Sequence, residues 1–81
     1  FLIRLNADGS HDPTFRFESN RSLERIAMQN NKIIVAGKDA VQHIIYRVNE
    51  NGSTDNSFTL TGIGNFAHRE ILVQPDGKIL T

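Results

Sequence analysis

Short apolar runs rich in β-branched residues recur along this chain, and residues typical of turns separate them. The clearest runs are KIIVAG at 32–37 and HIIYRV at 43–48. No segment sustains the periodicity of an amphipathic helix over three turns. The pattern therefore predicts an all-β fold built from short strands. We expect strands at 25–29, 32–36 and 43–48, and a weaker fourth strand near 15–17 or 58–60.

One predicted strand lacks the alternation of apolar and polar residues that a half-exposed strand shows. Ile33, Ile34, Val35 and Ala36 form a continuous apolar run. A strand with one face in water would alternate, so this run indicates a strand whose two faces are both covered. Other segments must therefore lie on both sides of this strand.

Two segments of the chain repeat in the same order. RLNADGSHDPTF at 4–15 returns as RVNENGSTDNSF at 47–58, which is 43 residues later. IAMQNNKIIV at 26–35 returns as ILVQPDGKILT at 71–81, with a spacing of 45 to 46 residues. The extra residue falls in a turn, where a loop accommodates an insertion that a paired strand does not. The chain therefore contains a structural repeat of about 43 to 46 residues.

A repeat of this length favours a β-propeller. A propeller blade has four antiparallel strands and lies between two neighbouring blades, which covers both faces of its inner strands. A β-helix repeats over shorter lengths, and a β-sandwich need not repeat at all. We predict that residues 1–81 are part of a single β-propeller domain, a fragment of just under two repeats. The predicted units are 1–24 (partial), 25–65 (one blade unit) and 66–81 (partial).

The turn residues make specific predictions about the backbone. Asn30 and Asn31 separate two strands by two residues, which predicts a primed hairpin turn with positive φ at both positions. Gly9 and Gly52 occupy the same place in the repeat and are predicted to have positive φ, which glycine adopts without strain. Replacing either glycine by Val is expected to cost about 1 to 3 kcal/mol of stability.

Composition excludes several classes of function. The 81 residues include no cysteine, so disulfides and thiolate metal sites are excluded. Nine basic residues balance nine acidic ones, which gives no electrostatic basis for binding nucleic acid. The sequence has no apolar run long enough to cross a bilayer. We therefore expect neither a nucleic-acid partner nor membrane insertion.

Polar residues in the first copy of the repeated turn alternate like the ligands of a calcium loop. They are Asn6, Asp8, Ser10 and Asp12, and the second copy has Asn49, Asn51, Ser53 and Asp55. An EF-hand-type loop requires Gly at its sixth position and a bidentate acid at its twelfth. If Gly9 is sixth, the twelfth residue is Phe15, so the requirement is not met. We therefore predict no metal site here.

The aspartates of these turns have a structural role that fits their spacing better. Asp12 and Asp55 each precede a hydroxyl residue by two positions, which is the spacing of an Asx turn. We expect their carboxylates to accept hydrogen bonds from the backbone amides near Thr14 and Ser57. Phe15 and Phe58 follow directly and are expected to fill the seam between blades, because an aromatic residue at a fixed place in a repeat usually belongs to the core.

Other residues with chemical potential do not form a recognisable site. His11, His43 and His68 lie at unrelated positions in the repeat, and we expect them on the surface. GIGNF at 62–66 has no strand-to-helix context for phosphate binding and is interpreted as a linker between blades. Ser10 and Ser53 are not in a nucleophile elbow. The sequence thus predicts no catalytic, cofactor-binding or metal-binding residues, and no cofactor.

The two repeated motifs together resemble a known family. QPDGKIL at 74–80, followed in the cycle by RLNADGSHDPTF at 4–15, is similar to the bacterial "delta sixty" repeat. Both motifs occur in both copies and cover most of the chain. The resemblance implies β-propellers within large secreted or surface proteins. It implies an extracellular or cell-surface scaffold or binding platform, and it brings no catalytic residues because the motifs consist of turn and packing positions.

The expected function is therefore a structural scaffold or protein-interaction module in a repeat propeller, and not an enzyme. Two alternatives stay open at this point: a carbohydrate-binding, lectin-like propeller with a glycan ligand, and the non-catalytic wall of a propeller enzyme. The chain begins with FLIRL, which matches a third strand, and ends with GKILT, which matches a second strand. We expect these edges to pair with other propeller repeats of a parent chain or with further copies of the same chain. An isolated folded monomer is not expected.

Overall fold

The computed structural model describes residues 2–19, 21–40, 42–58 and 70–81. Every regular element in these ranges is a β-strand, which confirms the predicted all-β class. Strands β1 (Ser22–Gln29), β2 (Lys32–Lys38) and β3 (His43–Val48) form an antiparallel sheet in that order. Strands β4 (Leu72–Val73) and β5 (Ile79–Leu80) form a separate antiparallel hairpin.

The fourth strand of the predicted unit is not formed as expected. Near 15–17 the chain makes only an isolated bridge between Leu2 and Phe17 instead of a continuous strand. Phe58 is not in a strand, and the remainder of the alternative segment lies outside the described residues. Strand β1 also begins earlier than predicted, with a bulge between Leu23 and Arg25. The unit boundaries given above stay a prediction.

The hairpin turn between β1 and β2 differs from the prediction in one residue. Asn30 has a φ of 52°, as expected for the first central position, but Asn31 does not have positive φ. The prediction was therefore wrong for Asn31. Positive φ at the first central position alone departs from the type I′ pattern, which needs positive φ at both central positions.

Both faces of strand β2 are covered, as its continuous apolar sequence predicts. Successive side chains of a strand point to opposite faces. Val35 packs with Phe15, Phe17 and Val48 on one face, which we call the N-face because residues 2–17 cover it. Ile34 and Ala36 pack on the other, with Ile45 and Ile71; we call it the C-face because residues 71–79 cover it.

The two faces give the chain its core. Val35, Ile34, Ala36 and Val48 are completely buried, and Phe15 is 2% exposed. Burying a side chain of this size stabilises a protein by about 1.5 to 3 kcal/mol. A segment from the first copy of the repeat and a segment from the last thus enclose the central sheet. This arrangement, with a sheet packed between parts of two neighbouring repeats, is the layout of propeller blades.

Candidate functional site

Three turns of the chain share one backbone geometry and lie at 6–10, 49–53 and 74–78. In each, the amide of the first residue donates to the carbonyl of the fifth, over 2.7, 2.8 and 2.8 Å. The glycines Gly9, Gly52 and Gly77 have φ values of 93°, 95° and 88°. This is a three-residue hairpin loop, a type I turn followed by a left-handed residue. The positive φ predicted for Gly9 and Gly52 is confirmed.

Side chains reinforce each of these turns in the same way. The side-chain oxygen at the third position, from Asp8, Asn51 or Asp76, accepts a hydrogen bond from the backbone amide two residues later, over 3.0 to 3.1 Å. In the first two turns the same oxygen also accepts from the hydroxyl of Ser10 or Ser53 at 2.7 Å. These oxygens are therefore occupied by bonds within the turn, as expected for Asx turns.

A second motif follows the first two turns and is also duplicated. Asp12 Oδ1 accepts hydrogen bonds from the Thr14 amide at 2.9 Å and from its hydroxyl at 2.6 Å. Asp55 Oδ1 accepts from the Ser57 amide at 3.0 Å and from its hydroxyl at 2.6 Å. The predicted capping role of both aspartates is confirmed.

An arginine at the start of each motif joins the aspartate to the aromatic core. Arg4 Nε donates to Asp12 Oδ2 at 2.8 Å, and its guanidinium lies 5.0 Å from the centre of the Phe15 ring. Arg47 Nε donates to Asp55 Oδ2 at 2.7 Å, and the distance to the Phe58 ring is 5.1 Å. At these distances the cation is attracted by the ring face, so the arginine links the polar turn to the apolar seam beneath it.

Bonds between repeats connect the three turns into one polar surface, which we call the turn edge. Arg4 Nη1 donates to the carbonyl of Glu50 at 3.0 Å, and the Arg16 amide donates to the carbonyl of Asn51 at 3.2 Å. On the other side, Arg47 Nη1 donates to Gln29 Oε1 at 3.1 Å, and Gln29 Nε2 donates to the Gly77 carbonyl at 2.6 Å. The turn edge thus runs through all three copies of the turn.

Gln29 and Lys32 belong to the turn edge, although the sequence pattern did not reveal it. Gln29 bridges two repeats with its amide, and Lys32 Nζ binds Asn49 Oδ1 and lies 3.3 Å from Asp55 Oδ2. Both residues have equivalents in the second copy of the hairpin, but the repeat alone does not show which turn they reach. The sequence offered one signal: Gln29 and Gln74 are identical between the two copies of the hairpin, as are Lys32 and Lys78.

The environment of the two capping aspartates keeps them ionised. The hydroxyl and amide of Thr14, followed by Arg4, lower the pKa of Asp12 from 3.8 to about 2. Asp55 is nearly buried, and the hydroxyl and amide of Ser57 hold its pKa well below the usual range despite the opposing effect of burial. A carboxylate that accepts several hydrogen bonds favours its charged form. Both groups are therefore anionic acceptors for arginine at neutral pH.

We expect the stability of the protein to fall as the pH drops from about 4 towards 2. A folded-state pKa below the unfolded value means that the unfolded chain binds more protons, so the contribution of Asp12 is complete above pH 4 and is lost as the carboxylate protonates. Urea unfolding at a series of pH values measures this. The Asp12→Asn variant should lose part of the pH dependence seen in the wild type. Equal slopes for variant and wild type would contradict the assignment.

Two open depressions lie on the turn edge. The first has a volume of about 510 Å³ and is lined by Asn31, Lys32, Asn49, Glu50, Asn51 and Ser53. The second, of about 500 Å³, lies beside it between the β1–β2 turn and the 74–78 turn, and shares Asn31 and Lys32. Their linings are mostly amides, hydroxyls and charged groups. Such surfaces offer hydrogen bonds to a polar ligand.

The predicted locations of the histidines are met only in part. His11 is exposed. The His43 side chain is only 22% exposed, and its Nδ1 lies 3.8 Å from Glu24 Oε2, so the expected surface placement was wrong for this residue. The pairing of β3 with β2 places His43 opposite Lys38, near Glu24 of β1. His68 and the 62–66 segment lie outside the described residues.

Within the described ranges, no group of three or more acidic, histidine or cysteine side chains is arranged to hold a metal ion.

We expect calcium to have no effect on stability. The oxygens of Asp8, Ser10 and Asp12 that resemble calcium ligands accept or donate bonds within their own turns, and binding a cation would break those bonds. Thermal melts with EDTA and with millimolar calcium should therefore superimpose. An increase of several degrees with calcium would overturn this assignment.

Comparisons with known proteins place the chain in a family. A family model described as "Domain of unknown function (DUF5122) beta-propeller" matches residues 1–15 and 29–58, which is more than half of the chain. The matched segments contain both copies of the Arg–Asp turn motif. No curated protein and no solved structure matches the chain. In residues 2–19, 21–40, 42–58 and 70–81, no helix is long and apolar enough to span a membrane.

Proposed function

Since the chain belongs to the DUF5122 β-propeller family, we propose that it serves as a structural scaffold or protein-interaction module within a larger secreted or surface protein. The propeller repeat supports a structural or interaction role. The finer assignment, to the "delta sixty" type of repeat and to a location outside the cell, is supported by the motifs at 74–80 and 4–15.

One observation carries this proposal: the repeated side chains are used to hold repeats together. On the turn edge, Arg4 and Gln29 donate hydrogen bonds to carbonyls of the following repeat. Below it, Phe15 and Ile71 are buried against opposite faces of the central sheet. Both the polar and the apolar residues of the repeat thus make contacts that join neighbouring units. A rigid array of this kind presents loops and depressions to partners without needing a reactive centre.

The location can be tested on cells that make the parent protein. An antibody raised against this chain should bind intact cells or detect the protein in the medium, and protease added outside should remove the cell-bound signal. A cytosolic marker protein should stay protected in the same samples. Detection of the chain only after lysis would overturn the proposed secreted or surface role.

A carbohydrate-binding propeller is the second candidate, because the depressions on the turn edge are lined mainly by amide and charged side chains. Sugars are bound through hydrogen bonds of this kind. Thermal melts against a panel of glycans distinguish the two functions, since a bound ligand stabilises the folded state. The scaffold role predicts no shift. A shift that disappears in Asn31→Ala but persists in Lys38→Ala, at the opposite end of β2, would favour glycan binding.

A further inference from the structure

Two pairs of large apolar side chains remain exposed on different surfaces of the chain. Ile26 and Met28 on β1 are 56% and 60% exposed. They pair with Val35 and Ile33, so they lie on the N-face, beyond the part that residues 2–17 cover. Leu72 and Leu80 are 61% and 52% exposed, on the side of the β4–β5 hairpin that faces away from the central sheet.

We propose that these two surfaces bind each other between copies of the chain. The β4–β5 hairpin of one copy docks on the N-face of β1 in a second copy, so that Leu72 and Leu80 cover Ile26 and Met28. This inference rests on the proposed function, because it treats the repeat as a unit built to pack on its own kind. It names the residues and the register of that packing.

The chain already contains this contact once, within itself. Ile71 and Val73 occupy the same places in the repeat as Ile26 and Met28, 45 residues later. They pack on the C-face, in the cluster that holds Ile34, with Ala27 against it. Ala27 and Ile34 in turn are equivalent to Leu72 and Leu80. Ile26 and Met28 thus repeat one side of this contact, and Leu72 and Leu80 repeat the other side. Each exposed pair lacks the counterpart that covers its equivalent within the chain.

Strand pairing fixes the register of the docked copy. Within the chain, Ile33 pairs with Val48 and Ile34 with Arg47 between β2 and β3. The equivalent residues are Ile79 and Leu80 in β5, and Leu5 and Arg4 in the N-terminal segment. Leu5 is 56% exposed, as expected for a residue whose neighbouring strand is not in place. Strand β5 of one copy should thus pair antiparallel with residues 2–5 of the next, with Ile79 opposite Leu5.

The polar network shows the same difference between its two copies. The Arg47 side chain is 23% exposed and that of Asp55 is 10% exposed, because Gln29 and Lys32 of the β1–β2 hairpin contact them. The equivalent Arg4 and Asp12 are 41% and 17% exposed. A docked β4–β5 hairpin would bring Gln74 and Lys78 to the places that Gln29 and Lys32 occupy. The Lys78 side chain is 80% exposed, so it is accessible for this contact.

Single-cysteine variants test the register, because the chain has no cysteine of its own. Leu5→Cys and Ile79→Cys are prepared separately, mixed and mildly oxidised. Residues directly opposite on antiparallel strands have Cα atoms about 4.5 to 5.5 Å apart, which suits a disulfide. We expect a covalent heterodimer in the mixture. Ile79→Cys mixed with Glu18→Cys, an exposed site outside the proposed contact, is the matched control and should give none.

Light scattering coupled to size exclusion tests the apolar contact. The wild type should show masses above the 9.1 kDa of one chain, increasing with concentration. Met28→Glu and Leu80→Glu should each be monomeric, because each disables one of the two surfaces. Mixed together they should form a dimer, since Leu80 of the first variant meets Met28 of the second. Lys38→Glu, at an exposed site away from both surfaces, should still assemble.

The outcomes distinguish this inference from the function on which it rests. A wild type that stays monomeric at all concentrations, folded or unfolded by circular dichroism, overturns the docking. So does a heterodimer yield for Leu5→Cys no higher than for the control. Neither result changes the antibody test on intact cells, which decides the proposed scaffold role separately. A head-to-tail contact of this kind produces rings if its rotation closes and filaments if it does not.

Discussion

Gly52→Ala should destabilise the protein by about 3 to 5 kcal/mol, whereas Gly9→Ala should cost only about 1 kcal/mol. The two glycines have the same place in the repeat and nearly the same φ, 95° and 93°, so the strain of placing a side chain there is the same. The difference lies in their surroundings. A Cβ at Gly52 would lie 2.0 Å from the carbonyl oxygen of Arg16, while a Cβ at Gly9 meets no atom within 4 Å.

The contact at Gly52 cannot be relieved by a side-chain rotation. All three nearest atoms belong to the Arg16 backbone, whose amide donates to the Asn51 carbonyl at 3.2 Å. An added methyl group would therefore push the N-terminal segment away from the second turn. Urea unfolding of both variants and of Gly77→Ala, which also has no atom near its Cβ site, measures the difference at one protein concentration. Equal losses in all three would show that residues 2–17 do not pack against this turn.

These glycines also show how much of the structure the sequence predicts. Positive φ follows from a local pattern, the repeated Asn-x-x-Gly-Ser turn, and it was predicted correctly at both positions. The close approach of Arg16 to Gly52 joins residues from different repeats, and no local pattern encodes it. The same holds for Gln29, whose amide reaches the Gly77 carbonyl, 48 residues away in sequence.

The strands and the two-sided burial of β2 were predicted because periodicity and turn residues are local signals. The continuous apolar run at 33–36 requires cover on both faces whatever supplies it. The predictions that were wrong concern residues whose conformation or exposure depends on neighbouring strands. Asn31 takes a conformation set by the strands on either side of the turn, and His43 is covered because β3 brings it near Glu24. In the turn edge, the hydrogen bonds within single turns were predicted, and those between turns were not.

Phe15→Ala should cost about 3 to 5 kcal/mol, which is a large part of the stability of so small a domain. The ring is 2% exposed and packs with Phe17, Val35 and Val48 on the N-face. Its removal leaves a cavity between the N-terminal segment and the central sheet, and Arg4 loses the ring face 5.0 Å from its guanidinium. Because the cavity lies in the seam, the loss should be accompanied by separation of the two repeats.

Phe58→Ala is the matched control, because Phe58 has the same place in the repeat and the same contact with an arginine, Arg47, at 5.1 Å. Its ring is only half-buried at the margin of the C-face, so truncation removes less buried area and should cost less. Denaturant unfolding gives both values, and hydrogen exchange shows where protection is lost. In Phe15→Ala the Leu2 amide, which donates to the Phe17 carbonyl at 3.0 Å, should lose protection before the amides of β2. If both regions lose protection together, the N-terminal segment and the sheet unfold as one unit, which would contradict the expected separation of the two repeats at the seam.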